Sequence, residues 1–298
     1  MNKKNQIIIL AGAMALLVLT ACGGGKEPAA SGLFGVNWSG TQFAGVGNGG
    51  IIRTSPNGVS WTYRNSGTTV SLLNIIWSGT QFTAVGNHGV ILTSPDGVTW
   101  TIQASGTTGD LCGIAWSGTQ FAATGDSGII LTSPDGATWT SRTSGTTNRL
   151  YGITWSGTQF VAVGYNGVIL TSADAVTWTV RTSGITDPLG AVIWSGTQFV
   201  AIGNNGAILT SPDGATWTAR TSGVSNGLSG IAWSGTQFVV VGDTGTILTS
   251  HDAITWTLRP SGTSNSLFGV AWSGAQSHFV AVGWGNVILT SPDGITWT

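Results

Sequence analysis

Residues 150 to 181 carry the pattern that decides the fold. They read Leu150-Tyr151-Gly152-Ile153-Thr154-Trp155, Ser156-Gly157-Thr158-Gln159, Phe160-Val161-Ala162-Val163-Gly164, Tyr165-Asn166, Gly167-Val168-Ile169-Leu170-Thr171-Ser172, Ala173-Asp174-Ala175-Val176 and Thr177-Trp178-Thr179-Val180-Arg181. No part shows helical period, and the apolar runs are short and bounded by turn formers, which predicts four short strands, A to D. Outward from this stretch the same phrase recurs. Trp-Ser-Gly begins at Trp38, Trp77, Trp116, Trp155, Trp194, Trp233 and Trp272, always 39 residues apart.

Four antiparallel strands at that period match the blade of a propeller, whose sheets pack face to face around a ring. Both faces of a blade are then covered. That accounts for continuous apolar runs such as Val161-Ala162-Val163, where a half-exposed strand would alternate. A β-solenoid would need shorter coils and atypical capping ends. The expected fold class is all-β, a seven-bladed β-propeller of four-stranded antiparallel blades over residues 33–298. Blade seven stops at Thr296-Trp297-Thr298, which predicts either a short outer strand or a chain that is a fragment.

The C–D turn reads Ser-Pro-Asp-Gly at Ser94, Ser133, Ser211 and Ser291, with Ser55-Pro56-Asn57-Gly58 as a near copy. Pro at the second and Gly at the fourth position suit a type I turn, and Asp can accept backbone N–H bonds within it. Asp96, Asp135, Asp174, Asp213, Asp252 and Asp293 are therefore structural. Two copies end in Ala, at Ala175 and Ala253; with φ > 0 there, Ala costs up to about 1 kcal/mol. Read with the following Trp, as in Ser133-Pro134-Asp135-Gly136-Ala137-Thr138-Trp139, the segment resembles the Asp-box or BNR repeat, shortened by one residue between Asp and Gly. That resemblance implies the propeller folds of sialidases, secreted carbohydrate-active proteins and photosystem II assembly factors. It implies no activity, because the motif is a turn.

Alternating strand direction puts the A–B and C–D turns at one end of every blade and the B–C and D–A connections at the other. The first end is nearly constant: Ser-Gly-Thr-Gln forms the A–B turn in six blades, and the seventh alone carries the insertion Gly274-Ala275-Gln276-Ser277-His278-Phe279. The second end varies. Its B–C positions begin Asn48, Asn87, Asp126, Tyr165, Asn204, Asp243 and Trp284. All four Asp outside the C–D turns fall there, Asp110, Asp126, Asp187 and Asp243, with His88, Arg149, Tyr165 and Trp284. Loops on a rigid scaffold commonly carry binding residues, and an exposed Trp or Tyr is a common anchor. These eight residues are the candidate ligand face. Drift at positions released from packing is the competing explanation.

Several functions find no support. From Leu33 on, seven Arg against ten Asp give a net charge of −3, with no basic cluster for nucleic acid. The single Glu, Glu27, precedes the repeats, so the Glu that partners the nucleophilic Tyr in sialidases has no counterpart. Arg64, Arg142, Arg181, Arg220 and Arg259 recur at one strand D position and read as guards of the exposed edge. His88, His251 and His278 sit in three different kinds of turn, so no metal site is expected. Cys112 takes a strand A position held elsewhere by Phe34, Leu73, Tyr151 or Phe268 and reads as a buried, unreactive thiol. No cofactor and no catalytic residue is expected.

The N-terminus has a basic start at Lys3 and Lys4, an apolar run from Ile7 to Leu19, then Leu19-Thr20-Ala21-Cys22. Residues 1–21 read as a secretory signal. The last four residues resemble the bacterial lipobox, which implies lipidation of Cys22 as the mature first residue. Gly23, in place of Asp, implies the outer membrane where the host has one. Residues 22–32 read as a lipidated, flexible tether. The alternative is an ordinary signal cut after Ala21, with Cys22 pairing to Cys112. The expectation is a monomeric, envelope-anchored propeller that binds a protein or polysaccharide. A degenerate carbohydrate-active propeller is the second reading. A third is an assembly factor like the photosystem proteins, although the basic face of that family is missing.

Overall fold

The structure is a computed structural model and describes residues 32–298. The segment expected to be a signal peptide, residues 1–21, and the expected tether from Cys22 up to residue 31 lie outside the described residues. Seven antiparallel sheets follow one another along the chain, six with four strands and the last with three. In blade one, strand A is Leu33–Trp38, B Phe43–Gly47, C Ile52–Ser55 and D Thr62–Arg64. The A strands of neighbouring blades pack against each other, that of blade seven against that of blade one, so A lines the axis and D the rim.

In the first six blades strand B is buried along its whole length because blades cover both its faces. Ala44, Val46 and Ile52 of blade one share a core with Leu72, Ile75, Phe82 and Leu92 of blade two. Leu33, Val36 and Phe43 close the ring against Ala271, Val280 and Val282 of blade seven. In every blade a Phe on B, such as Phe43, is flanked by the Trp ending A and the Trp after the C–D turn. For Phe43 the ring centroids lie 4.5 Å from Trp38 and 6.3 Å from Trp61.

The constant end is a set of latches. Ser94 Oγ accepts the Gly97 N–H at 2.8 Å, and Asp96 Oδ1 accepts the Val98 and Thr99 N–H groups, both at 2.8 Å. In the first five blades the Gln of the A–B turn then reaches the next blade's C–D turn: Gln42 Nε2 donates to the Asp96 carbonyl at 2.6 Å, and Gln81 to that of Asp135 at 2.8 Å. The insertion in blade seven keeps this function, since Gln276 donates to the Pro56 carbonyl of blade one. The fourth turn position is left-handed as expected, with φ of 57° at Ala175 and 61° at Ala253.

The strand D arginines are more than edge guards. Nε of Arg64 donates to Thr54 Oγ1 at 2.8 Å, and Arg142, Arg181, Arg220 and Arg259 repeat this contact at 2.9 Å, tying D to C on five separate rims. In blade seven Thr298 exchanges two backbone hydrogen bonds with Thr290, of 2.9 and 3.1 Å. That is the register in which Thr62 faces Thr54 in blade one.

Candidate functional site

At the variable end the B–C and D–A connections of all seven blades interlock through one main-chain hydrogen bond, with side-chain bonds added in some blades. The N–H of the first B–C residue donates to the carbonyl of the residue preceding strand A, from Asn48 to Gly32 at 3.2 Å round to Trp284 to Ser266 at 2.9 Å. The glycine just before, Gly47 and its equivalents, is required by this approach, because a Cβ would collide with the same carbonyl oxygen. The chain thus brings one variable side chain per blade to the rim of the central channel, and the bonds that place it ignore its identity.

The channel holds a cavity of about 300 Å³ lined by strand A residues including Phe34, Leu73, Cys112, Tyr151, Gly190, Ser229 and Phe268, with Asn204 and Asp243 among its wall residues. Its wall is asymmetric. Phe34 and Phe268 meet edge to face at 5.4 Å, and Trp284 stands edge-on to Phe268 at 6.3 Å. Trp284 is therefore half-buried, and it forms a bridge with Gly32 across the seam. This corrects the expectation of an exposed Trp: the seam supplies an aromatic partner that the loop position alone does not reveal. Tyr165 is exposed, at 47 %.

The structure gathers some of the eight predicted residues and separates others. Arg149 forms an ion pair with Asp126, and the Asp126 carboxylate also accepts the Asp110 N–H at 3.4 Å. Asp110 is 6 % exposed, and its Oδ1 accepts the His88 N–H at 2.8 Å, joining the loops of blades two and three. Burial pushes the Asp126 carboxyl up, and Arg149 pulls it back. Burial likewise raises the Tyr151 hydroxyl, with Arg149, Tyr165 and Asp126 acting on it in smaller measure. These groups form one sector around blades three and four. Asp187 accepts from Asn205 Nδ2 at 2.7 Å in a second sector. Asp243 lies in a third, 4 % exposed. Burial raises its carboxyl, opposed by the Ser266 hydroxyl and the Gly227 backbone.

Cys112 is disulfide-bonded, its partner lying outside the described residues, which corrects the expectation of a buried thiol. Sequence reasoning passed over Arg53. It is 7 % exposed on strand C, where the other blades carry Leu92, Leu131, Leu170, Leu209, Leu248 and Leu289. Its guanidinium lies 4.3 Å from the Tyr63 ring centroid, donates to the Tyr63 hydroxyl, and donates to Asn286 Oδ1 at 2.7 Å. The signal was an Arg at a six-fold Leu position. Among the described residues no three His, Cys, Asp or Glu side chains gather as a metal site.

Comparison with known proteins supports the architecture. No protein-family model matches the chain, and no curated protein matches it. Solved structures do. YCF48 from Cyanidioschyzon merolae superposes with a TM-score of 0.70 at 16 % identity, covering 89 % of this chain and 96 % of that one. YCF48 bound to D1 peptide superposes at 0.71 and 16 % identity, over 91 % and 94 %. The WD40 β-propeller domain of Doa1 gives 0.71 at 12 % identity, over 90 % and 95 %. At such identities the likeness establishes the fold: the chain is a seven-bladed β-propeller, built like propellers of which one holds a peptide.

Proposed function

We propose that this chain is an envelope-anchored scaffold that holds a protein partner on its B–C/D–A end and catalyses no reaction. One observation carries the reading. Near-identical blades differ chiefly at the end where a main-chain bond common to all seven fixes the loops, and there they present Tyr165, Trp284 and most of the charge that the turns and rims do not use. A peptide on the similar YCF48 propeller favours protein over polysaccharide as the partner class. The wall of the channel is mainly apolar and aromatic, as an anchor pocket requires. The test is recovery of partner from native envelopes by the intact protein and by Tyr165→Ala, alone and with Trp284→Ala. Removing an aromatic anchor should weaken capture about tenfold or more; equal recovery by all variants refutes the face.

Anchoring is proposed through a lipid on Cys22, in a form of the chain in which Cys112 is not in its disulfide. The chain has two cysteines, and a Cys22 sulfur in a thioether cannot also form a disulfide. A fatty-acid label carried by the mature protein and lost in Cys22→Ala supports the anchor. An unlabelled mature protein with a Cys22–Cys112 disulfide refutes it.

A further inference from the structure

Asp126 and Asp243 occupy the same B–C position in blades three and six, and the ring treats them differently. Asp126 has Arg149 as its ion-pair partner. Among the described residues no cation influences Asp243; only the Ser266 hydroxyl and the Gly227 backbone favour its charged form. It is also the more deeply buried of the two, and its Oδ1 makes no hydrogen bond among the described residues. A buried acceptor without a partner costs about 1–3 kcal/mol, more when charged, so a donor that fills the place is bound with that advantage.

Space lies beside it. Strand A carries Phe34, Leu73, Cys112, Tyr151 and Phe268 in five blades, but Gly190 in blade five and Ser229 in blade six. The nearest atom to a Cβ built on Gly190 would be the Leu228 carbonyl oxygen at 3.6 Å, an ordinary contact. The free volume of the channel, about 300 Å³, suits one or two side chains, the low end of ligand pockets. The eight residues of the variable face include four Asp against one Arg, a local excess of negative charge.

We propose that the channel mouth at blades five and six binds a cationic side chain of the partner, the guanidinium of Arg or ammonium of Lys, on Asp243, with Gly190 and Ser229 leaving room for its stem. This rests on the reading that the partner is a protein held on this face. It adds the chemistry of the anchor.

The test is calorimetric titration of the full chain, at low salt, with the acetylated and amidated peptide Gly-Arg-Gly, and with its citrulline analogue, which keeps the shape and lacks the charge. The citrulline peptide should bind about tenfold more weakly or worse, and Asp243→Asn should weaken the arginine peptide by a similar factor. Asp135→Asn, in a C–D turn at the opposite end of the ring, should leave its binding unchanged. Ser229→Phe, which installs the side chain of blades one and seven, should also block it, and it decides the matter if Asp243→Asn fails to fold. Equal binding of the two peptides, no binding of either, or full binding by both channel variants overturns the proposal. Capture of the native partner separates it from the broader reading: a partner lost by Tyr165→Ala but kept by Asp243→Asn leaves the face standing and removes the cation site.

Discussion

Thr83 and Thr124 are buried strand B residues whose hydroxyls have no hydrogen-bond partner. The register shows what belongs there. Thr83 pairs with Thr93 as Val161 does with Thr171 and Val200 with Thr210; Thr124 pairs with Ile130 as Val163 does with Ile169 and Val241 with Ile247. Thr→Val at either site replaces the hydroxyl by a methyl of nearly the same size, in a backbone that already holds Val in sister blades. The desolvation cost of an unpaired hydroxyl, about 1–3 kcal/mol, is relieved, and apolar surface replaces it. Each substitution should therefore stabilise by about 1–2 kcal/mol. The sites lie in different blades, so the double variant should be close to additive. Denaturant unfolding should show the midpoint rising with an unchanged slope. In a scan each kcal/mol should raise Tm by about 2–4 °C, or slightly less in a ring larger than the domains for which that range holds. A fall in midpoint on Thr83→Val or Thr124→Val would refute the reasoning, because it would mean that the hydroxyl has a partner which the burial argument denies.

Three further outcomes follow from the same comparison of blades. Ala253 faces Val200 and Ala175 faces the smaller Ala122, so Ala253→Gly should stabilise by about 0.5–1 kcal/mol while Ala175→Gly stays within about 0.5 kcal/mol of the parent, read from denaturation midpoints. Asp213 and Asp252 have carboxyls held down to about 2 by backbone N–H donors, Thr216 before Ala215 and Thr255 before Ile254. A lowered folded pKa gives stability that is present above the unfolded value near 4 and is lost as pH falls through about 2. Asn57 makes the same two bonds in blade one, at 3.0 and 2.9 Å, so Asp213→Asn with Asp252→Asn should leave neutral-pH stability nearly unchanged and flatten the acid limb between about pH 4 and 2; an unaltered acid limb would contradict this. Arg53 is a buried cation whose polar partners Tyr63 and Asn286 are exposed and can turn to water, so Arg53→Leu should leave stability equal or raise it by about 1 kcal/mol; a large loss would show that the Arg53 cluster holds the seam.

How much of this was legible follows from what a repeat can and cannot report. Aligned copies expose any position whose environment recurs, so the blades, the Trp-Phe-Trp stacks and the two unlike ends could be read from residues. They also explain the constancy of one end, because Gln42 and its equivalents must meet the Asp96 type of turn of the next blade. Copies say little where the environment is the axis of the ring. Phe34, Leu73, Cys112, Tyr151, Gly190, Ser229 and Phe268 look like loosely chosen core residues in a linear alignment, yet they meet around one cavity only when the ring closes. For the same reason burial at the first B–C position could not be foreseen: Tyr165 stands clear, Trp284 leans on Phe268, and Asp243 is enclosed, although all three hold the same place in the repeat.

That difference bears on why the variable end can serve as a site. A side chain that performs a structural contact is constrained by it, as the Gln latches are. The first B–C residues are all held by their N–H groups whatever side chain they carry, so the side chain can vary from blade to blade without leaving its position. The scaffold therefore presents fixed points around a channel and leaves the chemistry at each point open. Drift alone would be expected to disfavour a buried carboxylate with an unpaired oxygen, since it costs stability. Asp243 comes near this case: its Oδ1 has no hydrogen-bond partner among the described residues, while the Ser266 hydroxyl and the Gly227 backbone favour its charge, and Asn204 and Asn87 hold the same position without a charge. The imbalance is in the direction that a cationic partner corrects.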